Sequence, residues 1–140
     1  MKILVRKQFS FKASDCQINK ILECITKNNI NVMSMDVKKY KHEKNHVHLI
    51  VGLTNSTEND RKWNKILKSI LKEVKVCKYS KNNVVQTADH GTDESGVFSR
   101  EYGALFKCVE IYNIYLGEAS SIIYDVSDLD KAIAILAKLN

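Results

Sequence analysis

The sequence predicts an α+β protein built from two copies of one β-α-β-β-α-β unit, each an antiparallel sheet with its helices on one face. Three observations predict it. Apolar residues switch between the two-residue period of strands and the 3.6-residue period of helices in that order. The order then restarts after residue 81. Finally, the 140-residue chain has no proline and no Gly/Ser-rich spacer, so the copies, residues 1–81 and 82–140, are expected to form one body without a flexible linker.

The first copy opens on "KILVRKQFSF" (2–11), a strand with Val5, Phe9 and Phe11 among its apolar positions. "SDCQINKILECITKNN" follows as a helix. Ser14 or Asp15 can cap it, Ile18, Ile21, Leu22 and Ile25 share one face, and the paired asparagines Asn28 and Asn29 suit its end. "INVMSMDVKKY" (30–40) and "HVHLIVGL" (46–53) read as a hairpin around the polar "KHEKN". "NSTENDRKWNKILKSILKEV" is a second helix, capped near Asn55–Thr57, with Trp63, Ile66, Leu67 and Ile70 on one face. "VKVCKYS" (74–80) closes the copy as a strand.

The second copy repeats the order. "NNVVQTA" is a strand, the polar loop "DHGTDESG" leads into the helix "VFSREYGALFKC", and "VEIYNIYL" (109–116) and "SSIIYDV" (120–126) form a hairpin around Gly117. "SDLDKAIAILAKLN" is the closing helix, with Ser127 as its cap. A final strand is missing from this copy. Asparagine stands where the second strand begins in both, in "INV" at 30–32 and "YNI" at 112–114. The unit is the ferredoxin-like split βαβ arrangement, and two of them can join edge to edge and so cover strands that would otherwise invite aggregation.

Composition narrows the function classes. Hydrophobic content of 44% with 27% charged residues is that of a soluble globular protein. No apolar run reaches the roughly 20 residues of a membrane span, and "MKILVRKQFSFK" is too interrupted for a signal peptide. The chain is therefore expected in the cytoplasm, off the membrane. Cys16, Cys24, Cys77 and Cys108 form no CxxC pair, so reduced thiols are expected rather than disulfides or a zinc site. Net charge is +6, but residues 1–81 carry 18 Lys/Arg against 7 Asp/Glu (+11) and residues 82–140 carry 4 against 9 (−5). The lysines are spread over several elements without an Arg-rich run or interleaved aromatics, which reads as a solvated surface rather than a nucleic-acid footprint.

Residues 82–140 resemble the regulatory ACT pair of aspartokinases. The matching pieces are "NVVQTADHG", "SGVFSREYGAL", "EIYNIYL", "GEASSIIYDV" and "LDKAIAIL", with Ser95 where that family has the proline of a Pro-Gly pair. The first copy fits more loosely, through "QINKILECITKNNINVMSM". Its strand–helix loop "FKASDCQ" has no glycine, and Val37 is the nearest position to the family's effector-contacting glutamine. The resemblance implies a non-enzymatic regulatory module that binds a small amino acid, forms a homodimer, serves a partner enzyme of amino-acid biosynthesis and needs no cofactor. The implied site is the second copy's strand–helix loop. There the backbone at Gly91, Gly96 and Val97 would meet a carboxylate at the helix start, and Asp89, Asp93 or Glu94 would accept from an ammonium group. Asn113 and Ile114 on the neighbouring strand would flank the ligand, and Ser14, Asp15 and Asn31 are the corresponding positions of the first copy. Without a ligand, Asp93 and Glu94 would serve to stabilise the helix start and Gly96 to make a tight turn. The module would then act as a dimerisation scaffold.

A second motif points elsewhere. "NHVHLIVGL" resembles the His-hydrophobe-His strand of HUH single-strand nucleases, which also have a ferredoxin-like core. His46 and His48 would share a face and a divalent ion, and Tyr102 on its helix would be the nucleophile. The same alternation also simply places both histidines in solvent with Val47, Leu49 and Val51 in the core. Glu43 and His42 are near in sequence, but no third ligand is evident. No Walker A loop, GxSxG or HExxH is present. Tyr112, Tyr115 and Tyr124 read as sheet packing.

Overall fold

The structure, a computed structural model, describes residues 1–90 and 95–140. It is α+β, with six strands, four α-helices and a single 3-10 turn at Glu118–Ser120 among those residues. In chain order they are β1 (Lys2–Ala13), α1 (Asp15–Lys27), β2 (Val32–Lys38), β3 (Asn45–Val51), α2 (Asp60–Glu73), β4 (Tyr79–Ala88), α3 (Val97–Leu105), β5 (Ile111–Leu116), β6 (Ile122–Val126) and α4 (Leu129–Ala137). The strands bond in the order β2-β3-β1-β4-β6-β5. The β1–β3, β2–β3, β4–β6 and β5–β6 pairs are antiparallel.

The chain divides into two compact units, Lys7–Asn82 and Met1–Arg6 together with Asn83–Asn140. A single cut after residue 81 therefore leaves out the assignment of Met1–Arg6 to the later unit. Both β1 and β4 are long enough to serve two units in succession. The separate strands expected at 74–80 and 82–88 are one, Tyr79–Ala88. The turn after α2 displaces the first of them: Lys75 takes a left-handed φ of 68°, and Val76 drops into the core, only 4% exposed.

In the unit Lys7–Asn82, alternation along β1 and β3 sends Phe9, Phe11 and Ala13 to the same side as Val47, Leu49 and Val51. The register pairs Phe9 with Leu49 and Phe11 with Val47. Helix α1 adds Ile21 and Ile25, and α2 adds Leu67, Ile70 and Leu71. Each such side chain gains about 1.5–3 kcal/mol on leaving water. Ser14 caps α1 in a reciprocal box: its hydroxyl accepts from the Gln17 N–H, and the Gln17 side chain accepts from the Ser14 N–H. Helix α2 begins later than the Asn55–Thr57 expected from sequence. The Ser56 hydroxyl takes the Glu58 N–H instead, and the Thr57 carbonyl takes that of Asp60, which makes the segment a turn.

In the other unit the core is Val85, Val97, Leu105, Val109, Ile122, Tyr124, Val126, Ala132 and Leu136, with Met1 and Ile3 packed against it. The start of β1 thus supplies the strand that residues 82–140 lack, although Val5 within it is 40% exposed. Helix α4 is capped by Asp128, whose carboxylate accepts from the Lys131 N–H. Ser127, the expected cap, is held one residue earlier, where its hydroxyl accepts from the Glu110 N–H.

Candidate ligand site at the strand–helix loop

Strand β4 ends at Ala88, and the chain leaves the sheet through Asp89, an exposed residue in a left-handed conformation (φ 56°). It re-enters regular structure at Gly96, the N-cap of α3, with φ 84°. A Cβ at Gly96 would meet no atom within 4 Å, so the backbone angle, not crowding, calls for glycine. Val97 turns inward and is 8% exposed. Gly91, Asp93 and Glu94 lie outside the described residues.

Among the described residues no side chain caps the start of α3. Helix α1 has the Ser14 box and α4 has Asp128; α2 resembles α3 in lacking one. The first-turn N–H groups of α3 thus have no side-chain partner among the described residues, and they sit at the positive end of the helix dipole, the elements from which carboxylate and phosphate sites are made.

A buried polar cluster joins His90, just after β4, to α3. Glu101, on the inner face of α3, is 0% exposed. Its Oε1 accepts from the Thr87 hydroxyl at 2.8 Å and from the Tyr124 hydroxyl at 3.0 Å. The Thr87 hydroxyl has spent its only proton on Glu101, so His90 Nε2, 3.1 Å from the same hydroxyl oxygen, is the donor there. That assigns the tautomer. His90 Nδ1 then carries a proton only in the imidazolium form, and only that form attracts Glu101 Oε2, 3.5 Å away. Neither atom has a hydrogen-bond partner among the described residues. The Tyr124 phenol is held well above the ordinary tyrosine value, first by burial and then by the charge of Glu101.

The cluster ties the end of β4, the first residues of the loop, α3 and β6 together, and sequence reasoning passed over most of it. One signal was available. Val97, Glu101 and Leu105 recur every four residues and are the buried residues of α3, so a glutamate occupies an otherwise apolar stripe.

The remaining expected positions fall as follows. Asn113 is half-buried in β5 beside an irregularity in the β5–β6 register and pairs with Asp125, and Ile114 pairs with Tyr124. In the other unit, the Ser14 hydroxyl is occupied by its capping box. Asp15 is bonded to Lys39 and Asn45, which hold its carboxyl below the usual carboxylate range, the Lys39 bond foremost. Asn31 donates to the Gly52 carbonyl at 2.9 Å and accepts the Gly52 N–H at 3.0 Å, which fixes the entry to β2.

His46 and His48 do share one face of β3, opposite Lys12 and Ser10 of β1. The Ser10 hydroxyl bonds His48 Nδ1 at 2.8 Å, and the His46 ring lies against Tyr40 with centroids 4.5 Å apart. Tyr102 belongs to the other unit, 45% exposed and stacked with Phe106. Among the described residues no three His, Cys, Asp or Glu are grouped as metal ligands, and no helix is long and apolar enough to cross a membrane. All four cysteines are free thiols.

No protein-family model and no curated protein matches the sequence. Solved structures do. A protein of Bacteroides thetaiotaomicron superposes with a TM-score of 0.71 at 19% identity, covering 97% of this chain and 89% of that one. The ligand-free regulatory subunit of aspartate kinase from Thermus thermophilus gives 0.62 at 12% identity, covering 99% and 96%. Aspartate kinase from Synechocystis gives 0.61 at 14% identity, where 99% of this chain covers 26% of that one. The chain thus has the ACT-like fold of aspartate kinase regulatory regions.

Proposed function

We propose that this chain is a regulatory module of two ACT-type, ferredoxin-like repeats that binds a small amino acid at residues 89–97 and works as a homodimer beside an enzyme of amino-acid biosynthesis. The observation that carries the reading is the start of α3, entered through left-handed Gly96 and capped by no side chain among the described residues, on the helix that also carries buried Glu101. N–H groups at a helix start suit the carboxylate of an amino acid, and the acidic side chains expected in the loop suit its ammonium. The equivalent helix start in the other unit is closed by Ser14 and Gln17, which makes the two repeats unequal and leaves one effector position per chain. The shared fold of aspartate kinase regulatory subunits supports the regulatory half of the reading.

The test is a thermal-shift screen of the full chain against the common amino acids and diaminopimelate. A saturable rise in Tm for one of them is expected, about 2.7 kcal/mol of stabilisation at a hundredfold excess over Kd. Gly96→Ala should weaken it, because the strained helix entry displaces the amides. A screen that shifts nothing would leave a dimerisation scaffold without a ligand.

A further inference from the structure

The unit Lys7–Asn82 carries a second concave surface, independent of the loop at 89–97. An open groove of about 780 Å³ runs over the Ser10–Lys12 end of β1, β3 and the segment leading into β4. Lys12, Lys44, Lys75, Lys78, His46 and His48 line it, and no Asp or Glu does. A smaller hollow adjoins it, sharing Val76, Cys77 and Tyr79, and adds Lys68 and Lys72, again with no acid.

The positive charge of this surface is concentrated. Lys68 sits close enough to Lys81 that the neighbouring ammonium holds it below the ordinary lysine value. None of the six groove lysines pairs with a carboxylate among the described residues, whereas Lys39, which has Asp15 within reach, pairs with it. Hydroxyl groups of Tyr79 and Ser80 also line it, while that of Ser10 is bonded to His48. The volume lies within the roughly 300–1,000 Å³ of small-molecule sites, and its concavity suits a compact ligand better than an extended strand.

We propose that this groove is a binding site for a small ligand bearing a diphosphate or triphosphate group. Lysine ammonium groups are point donors matched to phosphate oxygens, and several lining one hollow favour a ligand of high charge density over a monocarboxylate. The His46–His48 pair, opposite Lys12 and Ser10 across the sheet, then adds N–H donors to an anion site instead of ligating a metal.

Calorimetric titration of the full chain with inorganic tripolyphosphate and with ATP, at a constant ionic strength of about 0.15 M, tests this. Saturable binding of one molecule per chain is expected. Equal affinities would identify the phosphates alone as the determinant, and tighter ATP binding would add the nucleoside. Lys12→Gln with Lys78→Gln should weaken binding by at least about tenfold, the factor that about 1.4 kcal/mol represents. Lys27→Gln with Lys62→Gln, equal in charge change but outside the groove, should leave it unchanged. Heats no larger than those of sodium chloride, or equal losses in both double variants, would overturn the proposal. So would a single-stranded oligonucleotide that binds more tightly with increasing length.

Discussion

Tyr124 is the residue whose chemistry reaches furthest. It is fully buried, and its hydroxyl donates to the carboxylate of Glu101, itself fully buried. Tyr124→Phe should cost about 1.5–3 kcal/mol, the usual worth of a hydrogen bond to a charged group, read as a fall in urea midpoint. The pH dependence has a definite sign. Its folded pKa is raised above the unfolded value, so the folded state holds the phenolic proton more tightly. That contribution is complete below about pH 10 and is lost as pH climbs from there through the folded value. Above pH 10 the wild-type protein should lose stability more steeply than Tyr124→Phe, and equal slopes would show that the phenol is not linked to folding. Some of this detail was legible in the sequence. Glu101 stands on the apolar stripe with Val97 and Leu105, whereas its partners Thr87 and Tyr124 come from strands whose pairing no local pattern reveals. Ser127 and Asp128 are equally good caps by type, and only the tie between Ser127 and Glu110 decides between them.

At the scale of elements, the helix starts differ: α1 and α4 carry side-chain caps, and α2 and α3 show none among the described residues. Ser14→Ala removes the α1 box and should lower stability by about 1 kcal/mol in denaturant melts. Gly96→Ala meets open space but imposes a left-handed φ on a residue with a Cβ, so about 1–2 kcal/mol should be lost without any clash. A neutral result there would mean the α3 entry relaxes freely and does not hold its amides in place. Helices α1, α3 and α4 were readable from apolar spacing because each buries one face. The boundaries of β4 were not, because "YSKNNVVQTA" changes from exposed to fully buried midway along one strand. A polar half followed by an apolar half looks like the end of one element and the start of another.

Across the whole molecule, the distribution of charge and the path of the chain matter more than any contact. Residues 1–81 hold a charge of +11 and residues 82–140 one of −5, so an acidic ligand and a zwitterionic one would find different preferred ground. The single tryptophan, Trp63, packs against the Lys7–Asn82 core, which makes the two units separately observable. Deleting residues 1–6 should strip β5 and β6 of hydrogen-exchange protection while leaving Trp63 emission close to native. Uniform loss of both signals would show instead that the units fold only together. The assignment of Met1–Arg6 to the later unit also bears on synthesis. Residues 1–6 are made well before residues 83–140, the segment with which they form a unit. A gene split between codons 81 and 82 would therefore yield one fragment with a surplus strand and another short of one. A bulky tag fused ahead of Met1 would burden the C-terminal half of the protein rather than the half it adjoins.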